Sequence, residues 1–284
     1  MRLLNFAKAS GVALGARRGE MVVDLTAAGV AASVDDLLRL GADGMKRAAA
    51  AADAGKTQIP FAGLKLKPPV LEPAHAIAVG LNYIDHAAES PYKDAPKYPV
   101  LFQRYPSSWV ADGEALIKPK VSDAFDYEAE VAVIIGTPGR YIAKDKALGH
   151  VAGYSLFNDG SLRDYQFKSH QWMIGKNFHR SGSFGPELVT SDELPPGAAG
   201  LRIRCLLNGT VMQDADTKDM IFDVATLIST ISEIIELKCG DIIISGTPAG
   251  VGFARKPPVF MKAGDTVQVE VDRIGTLTNR IENE

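Results

Sequence analysis

Between residues 125 and 135 apolar and charged positions alternate. Phe125, Tyr127, Ala129, Val131, Val133 and Ile135 fall on one side of a period of two, and Asp126, Glu128 and Glu130 on the other. The pattern predicts a strand with one core face and one face carrying three carboxylates. Further strand patterns lie at 12–14 and 21–25 and then, after residue 75, at 76–80, 100–104, 151–157, 201–207, 241–245, 266–271 and 276–281. Helical spacing is found at 33–40, in the alanine-rich 45–53, at 84–89 and 144–149, and at 224–237, where Leu227, Ile228, Ile231, Ile234 and Ile235 share a face. Asn208-Gly209 marks a turn. Strands outnumber helices and do not alternate with them regularly, so the expected class is α+β, β-rich, rather than a doubly wound sheet.

The first 67 residues mix short strands and helices. They end at Lys65-Leu-Lys-Pro-Pro69, whose consecutive prolines can neither continue a helix nor donate to a ladder. The expected division is therefore a small α/β domain at 1–67 and a larger catalytic domain at 68–284. A chain of 284 residues with 46% hydrophobic and 23% charged residues is long enough for a sizeable core. Its net charge of -3 gives no electrostatic footprint for nucleic acid. Cys205 and Cys239 lie far apart with no ligand spacing around them, which argues against zinc and disulfides. No stretch has the length of a signal peptide's apolar core or of a membrane span, so a soluble, cytoplasmic protein with no membrane partner is expected.

Three like charges on one strand face need a partner. Carboxylates partly removed from water repel, and one takes up a proton unless a cation compensates them. Oxygen ligands alone favour a hard divalent ion, Mg²⁺ before Zn²⁺. A solvated outer face is the alternative. Asp159, after the strand pattern and before Gly160, could join the cluster or be an Asp-Gly turn residue. His86 and Glu89, three apart on a short helix that Asn82 is suited to cap, would share a face, and a carboxylate that orients an imidazole makes it a credible base for activating water. Taken alone, such a pair is more often a surface contact. Arg163, Gln166 and Lys176 could bind an anion or stabilise developing charge, with Asp164 an ordinary ion-pair partner and His179 without a role. The run Ser245-Gly-Thr-Pro-Ala-Gly-Val-Gly252 lacks the Lys-Ser/Thr ending of a phosphate loop, and Pro257-Pro258 follows it rather than a helix start. Thr247 and nearby amides could still hold a carboxylate.

Taken in order, these motifs resemble the fumarylacetoacetate hydrolase family over residues 76–281. They are Asn82-Tyr83 with His86 and Glu89, Phe125-Asp-Tyr-Glu-Ala-Glu130, Gly153-Tyr154 to Asn158-Asp159 with Arg163-Asp164 and Gln166, Lys176, and Gly246-Thr-Pro-Ala-Gly-Val-Gly252. The resemblance implies a mixed-sheet C-terminal fold with a small N-terminal α/β domain, and a homodimer. It makes Glu128, Glu130 and Asp159 ligands of Mg²⁺ or Mn²⁺, with Ca²⁺ able to stand in within a crystal, and leaves Asp126 a supporting role. His86 and Glu89 match a water-activating dyad. Lys176 and Gln166 match charge-stabilising positions, and Arg163, Tyr83 and Thr247 match substrate-binding ones. Arg104, a further substrate-binding candidate that could select a carboxylate, stands where many relatives have Lys, and a further acidic ligand known upstream of the His in larger relatives has no match beyond the adjacent Asp85. The implied function is hydrolysis of a C–C bond in a small anionic 1,3-diketo acid, of the acylpyruvate or fumarylacetoacetate type. The alternatives are decarboxylation or keto–enol isomerisation of an oxo-diacid such as oxaloacetate or a 2-oxo-hexenedioate, and a non-catalytic metal or keto-acid binding protein. A nucleotide-dependent oxidoreductase is undermined by the missing helix after the glycine-rich run.

Overall fold

Strand-forming runs from distant parts of the chain come together in one twelve-stranded mixed sheet in the computed structural model, which describes residues 1–9, 11–90 and 95–284. Its order is Gln58–Pro60, Met21–Asp24, Gly11–Arg18, Arg2–Lys8, Gly182–Thr190, Val151–Asn158, Ala129–Ile135, Ile242–Ile244, Ala76–Gly80 and Val100–Gln103, with Leu66–Lys67 and Trp109–Val110 attached to the side. Most neighbours are antiparallel, but Ile242–Ile244 runs parallel to Ala76–Gly80. A second, five-stranded sheet contains Thr210–Asp216, Arg202–Leu207, Thr266–Val271, Gly275–Asn283 and Leu116–Lys118. The architecture is a β-rich C-terminal region with a smaller N-terminal α/β region, whose Arg2–Lys8 strand pairs directly with Gly182–Thr190.

The central strand Ala129–Ile135 is buried along its whole length. One of its faces places Val131 and Val133 in a core with Ile203, Val267 and Val269 of the second sheet. The other places Ala132 and Ile134 in a core with Leu37 and Leu38 of the N-terminal helix Val34–Arg39. Both faces are therefore apolar beyond Glu130, and the charged positions occupy only its leading end. The 125–135 pattern divides into Phe125–Asp126 and Ala129–Ile135, and the solvated-face alternative fails because Asp126, Glu128 and Glu130 are all buried.

Most predicted elements form, with shifted ends. The alanine-rich helix is Gly41–Ala54, closed by Gly55 in the left-handed conformation, while residues 144–150 form a 3₁₀ helix and the 224–237 pattern ends at Ile234. Arg2–Lys8, Thr210–Asp216 and Gly182–Thr190 are additions to the predicted set. The last is fully buried although Gly185-Pro186 lies within it. The pairing with Val151–Asn158 slips register opposite that dipeptide, and a bulge is where a central strand tolerates proline.

Candidate active site

Sheet register builds the acidic cluster. Ala129 pairs with Asn158, and the ladder continues with the Asp159 N–H donating to the Glu128 carbonyl at 2.9 Å. Asp159 thus lies across from Glu128, with Glu130 two residues along the same face. All three are buried, and each offers an oxygen within 4.8 Å of the others. Asp126 turns to a different task, accepting the Gly252 and Phe253 N–H groups at 2.8 and 2.9 Å and Arg163 Nε at 2.8 Å.

Cations crowd this cluster. Lys176 Nζ donates to Glu128 Oε2 at 2.7 Å and to Asp159 Oδ2 at 2.6 Å. Arg163 binds Gln166 Oε1 through Nη1 at 2.8 Å, and its Nη2 forms an ion pair with Glu128 Oε1 at 2.7 Å. Arg104 Nη1 donates to Asp159 Oδ1 at 2.6 Å. Burial alone would raise Glu128, but Lys176, then Arg163 and His86, outweigh it and bring its carboxyl down to about 2. Glu130 goes the other way. Burial, reinforced by Asp159 and Glu128, pushes it well above the usual carboxylate range, and Lys176 and the Gly246 N–H pull it only partly back.

The charge count explains the contrast. Four buried carboxylates, Asp126, Glu128, Glu130 and Asp159, face three buried cations, Arg104, Arg163 and Lys176, and Glu130, which has no ion pair among the described residues, is the one driven toward its protonated form. A divalent cation beside Glu128, Glu130 and Asp159 fits this deficit, and an all-oxygen donor set suits a hard ion.

One pocket opens onto the cluster. Its polar walls include His86, Glu89, Glu128, Glu130, Gln166 and Lys176, with Arg163 and Thr247 beside them. His86 and Glu89 sit on the short helix Ile84–Glu89, and His86 Nδ1 is 2.9 Å from Glu89 Oε1. Both Glu89 oxygens also accept the Gly250 N–H, at 3.1 and 3.0 Å. With Nδ1 engaged, Nε2 is the ring nitrogen left for chemistry. Gln166 has its carbonyl fixed by Arg163, while its amide nitrogen has no partner among the described residues and is a preset donor.

Four expected roles change on contact with this geometry. Arg104 lies behind Asp159 rather than in the pocket wall, its guanidinium bound to Asp159, Ser108 and the Gly160 carbonyl, so the charge it meets is that of Asp159. Tyr83 is likewise absent from the wall; its hydroxyl is buried without a partner among the described residues, and burial together with the charge of Glu130 raises it far above the ordinary phenol range. Thr247 lines the pocket but donates its hydroxyl proton to the Ala129 carbonyl at 3.0 Å, leaving it only acceptor capacity toward a ligand. Asn82 caps no helix. It holds the Ser245 and Phe222 carbonyls at 2.7 and 3.0 Å, while Tyr83 takes the cap position without a side-chain bond.

The glycine-rich run fails as a phosphate site for a physical reason. Its amides are taken by the protein's own carboxylates: Gly246 by Glu130, Gly250 by Glu89, and Gly252 and Phe253 by Asp126. Gln213 adds a clamp that motif reasoning missed. Its carbonyl accepts the Ala129 N–H at 2.9 Å, and its amide donates to Thr247 Oγ1 and the Pro248 carbonyl at 2.8 and 2.7 Å. A buried glutamine in an otherwise ordinary strand carries no spacing that marks it in advance.

Comparison with known proteins adds the following. A family model described as "Fumarylacetoacetate (FAA) hydrolase C-terminal" matches residues 75–282. The chain is 35% identical over 289 residues to a Xenopus laevis protein named oxaloacetate tautomerase fahd2, mitochondrial, covering 99% of this chain and 90% of that one. It is 40% identical over 215 residues to the Homo sapiens oxaloacetate tautomerase FAHD2A, mitochondrial, covering 75% and 68% of the two chains. A crystal structure of maleylpyruvate hydrolase from Sphingobium sp. SYK-6, in complex with manganese(II) and pyruvate, superposes with a TM-score of 0.83 at 29% identity, covering 100% of this chain and 99% of that one. The cytoplasmic expectation is overturned by these relatives, since both tautomerases are mitochondrial by name. Free thiols and overall polarity do not report an address. No helix among the described residues is long and apolar enough to cross a membrane.

Proposed function

The chain belongs to the fumarylacetoacetate hydrolase family, and from that premise we propose a divalent-metal-dependent tautomerase that moves a proton between the keto and enol forms of an oxaloacetate-type 2-oxo acid. The observation that carries the proposal is the placement of an oriented imidazole and a cation-demanding carboxylate cluster on one pocket, the arrangement that shifting a proton beside a carbonyl requires. The names of the relatives support the choice of reaction, because both are oxaloacetate tautomerases. Mg²⁺ or Mn²⁺ held by Glu128, Glu130 and Asp159 would supply Lewis acidity that makes the C3 proton of the substrate easier to remove.

The residues divide the remaining work. His86 Nε2 takes the C3 proton and returns it to oxygen or carbon, while Glu89 keeps the ring turned toward the pocket. Lys176 and the Gln166 amide donate to the oxygen on which negative charge develops, and Arg163, paired with Glu128 and bound to the Gln166 carbonyl, keeps that amide turned to the pocket. No bond between heavy atoms breaks.

C–C hydrolysis of an acylpyruvate is the second reading, favoured by the resemblance to a maleylpyruvate hydrolase. It needs the same imidazole to activate a water. Following oxaloacetate in deuterated buffer with Mg²⁺-loaded protein separates the two: the tautomerase reading expects enzyme-dependent enol–keto exchange and deuterium at C3 without net product. Net cleavage of an acylpyruvate with no acceleration of tautomer exchange would reverse the choice, and CO₂ release would point to decarboxylation.

A further inference from the structure

The pocket changes character along its length. Beside the charged floor its walls include Gly80, Phe102, Phe167, Trp172 and Phe253. Trp172 and Phe102 meet edge-on with ring centroids 6.0 Å apart, and Phe167 and Phe253 are 5.3 Å apart. Gly80 exists to admit the indole, since a Cβ there would lie 2.1 Å from Trp172 Cζ3. Three of the four rings are also tied to the catalytic floor. Phe253 is held through its N–H by Asp126, Phe167 follows the Arg163–Gln166 helix, and the Phe102 ring centroid lies 5.2 Å from Lys176 Nζ. Phe102, Phe167 and Trp172 continue into an adjoining cavity whose inner wall is Leu81, Val100 and Leu101 and whose rim carries Lys168 and His170.

A four-carbon diacid would engage only the floor. Anything attached beyond it meets flat apolar surfaces, and among the described residues Arg163 and Lys176, the cations that line the main pocket, are both bound to the floor carboxylates. Resting on the 2-oxo acid reading above, we propose that the site accepts substrates whose 2-oxo acid head bears a planar, apolar aromatic tail. Such a tail lies against Trp172, Phe102, Phe167 and Phe253, with the Gly80–Trp172 contact setting the depth of the slot. Aromatic faces reward planar groups beyond the area they bury.

The test is equilibrium binding to the full-length, Mg²⁺-loaded protein, with pyruvate as the bare head and phenylpyruvate as the head with an aryl tail, read by tryptophan fluorescence and checked by calorimetry. Phenylpyruvate is expected to bind at least tenfold tighter than pyruvate. Trp172→Ala and Phe102→Leu should remove most of that advantage, with Trp172→Ala leaving pyruvate affinity within about twofold. Gly80→Val, which pushes the indole out without deleting it, should act in the same direction and guards against misfolding of either truncation. Equal affinities, or an advantage that survives all three variants, overturn the tail assignment alone. If neither compound binds while the metal does, the 2-oxo acid reading fails and the slot assignment with it.

Discussion

His86 depends on a carboxylate that is itself held from both sides. Glu89 meets the imidazole with Oε1 and the Gly250 N–H with both oxygens, so the ring orientation is referred back to the glycine-rich loop. His86→Ala is expected to lower kcat by about 10²–10⁴ with a smaller change in KM, the range for losing a positioned acid–base group. Glu89→Gln should fall short of that but remain clearly impaired, because an amide would set an N–H donor against the Gly250 N–H. Steady-state kinetics on enol oxaloacetate checks both; a Glu89→Gln enzyme at full rate would show that the carboxylate has no part in the imidazole's chemistry. Removing the Gln166 donor by Gln166→Leu should cost about 2.7–4 kcal/mol in transition-state stabilisation if it serves the developing oxyanion. At this scale the sequence was informative wherever chemistry required a spacing. His86 with Glu89, and Glu128 with Glu130, can be picked out because helix and strand periods put them on one face. Arg104 and Tyr83 could not be placed in the same way, since whether a side chain faces the pocket or stands behind it depends on packing from other segments.

Among elements, the stretch from Gly246 to Phe253 joins the site together. It runs off the Ile242–Ile244 strand beside the Ala129–Ile135 strand, and Glu130, Glu89 and Asp126 from three different segments capture its amides. Gln213 adds a fourth anchor from the second sheet. Gln213→Leu would strand the Ala129 N–H in the interior, at about 1–3 kcal/mol for an unsatisfied buried group. Its effect should exceed simple destabilisation: weaker Mg²⁺ binding by calorimetry and a lower kcat under conditions where the protein is still fully folded, with partial rescue by Gln213→Glu excluded because a carboxylate cannot donate to Pro248. Unchanged metal affinity in a folded Gln213→Leu protein would confine this residue to stability. Gly250→Ala should be worse, since its φ of +103° is unfavourable for alanine and a Cβ would meet the Met212 carbonyl at 2.3 Å. Element prediction succeeded where hydrophobic period and length agreed, as for the Val224–Ile234 helix. It missed Gly182–Thr190 because Gly185 and Pro186 read as a break, and only the partner strand's slipped register shows how they are accommodated.

Across the whole molecule, the acidic site couples stability to pH in two opposite senses. Glu128, drawn down to about 2, is ionised in the folded state where the unfolded chain would be protonated; its contribution is present above the ordinary carboxylate range and lost as pH falls through about 2. Glu130, raised by burial and by Asp159 and Glu128, binds a proton more tightly folded than unfolded. Its contribution is complete below the ordinary glutamate range and is lost as pH rises through its elevated folded value. An ion at this site competes with the Glu130 proton, so ion binding strengthens, and stabilises more, as pH rises. At a hundred times its dissociation constant an ion adds about 2.7 kcal/mol, enough to move Tm by several degrees. Melting curves with Mg²⁺ and with chelator should therefore diverge from mildly acidic to mildly alkaline solution, because the chelated protein loses stability over that interval while the loaded one holds it. In Glu130→Gln the chelated protein should lose its share of the alkaline fall, and the ion-induced shift should shrink and flatten with pH. An ion-induced shift that is independent of pH in the parent protein, or undiminished in Glu130→Gln, would mean that the Glu130 carboxylate is not what the cation answers.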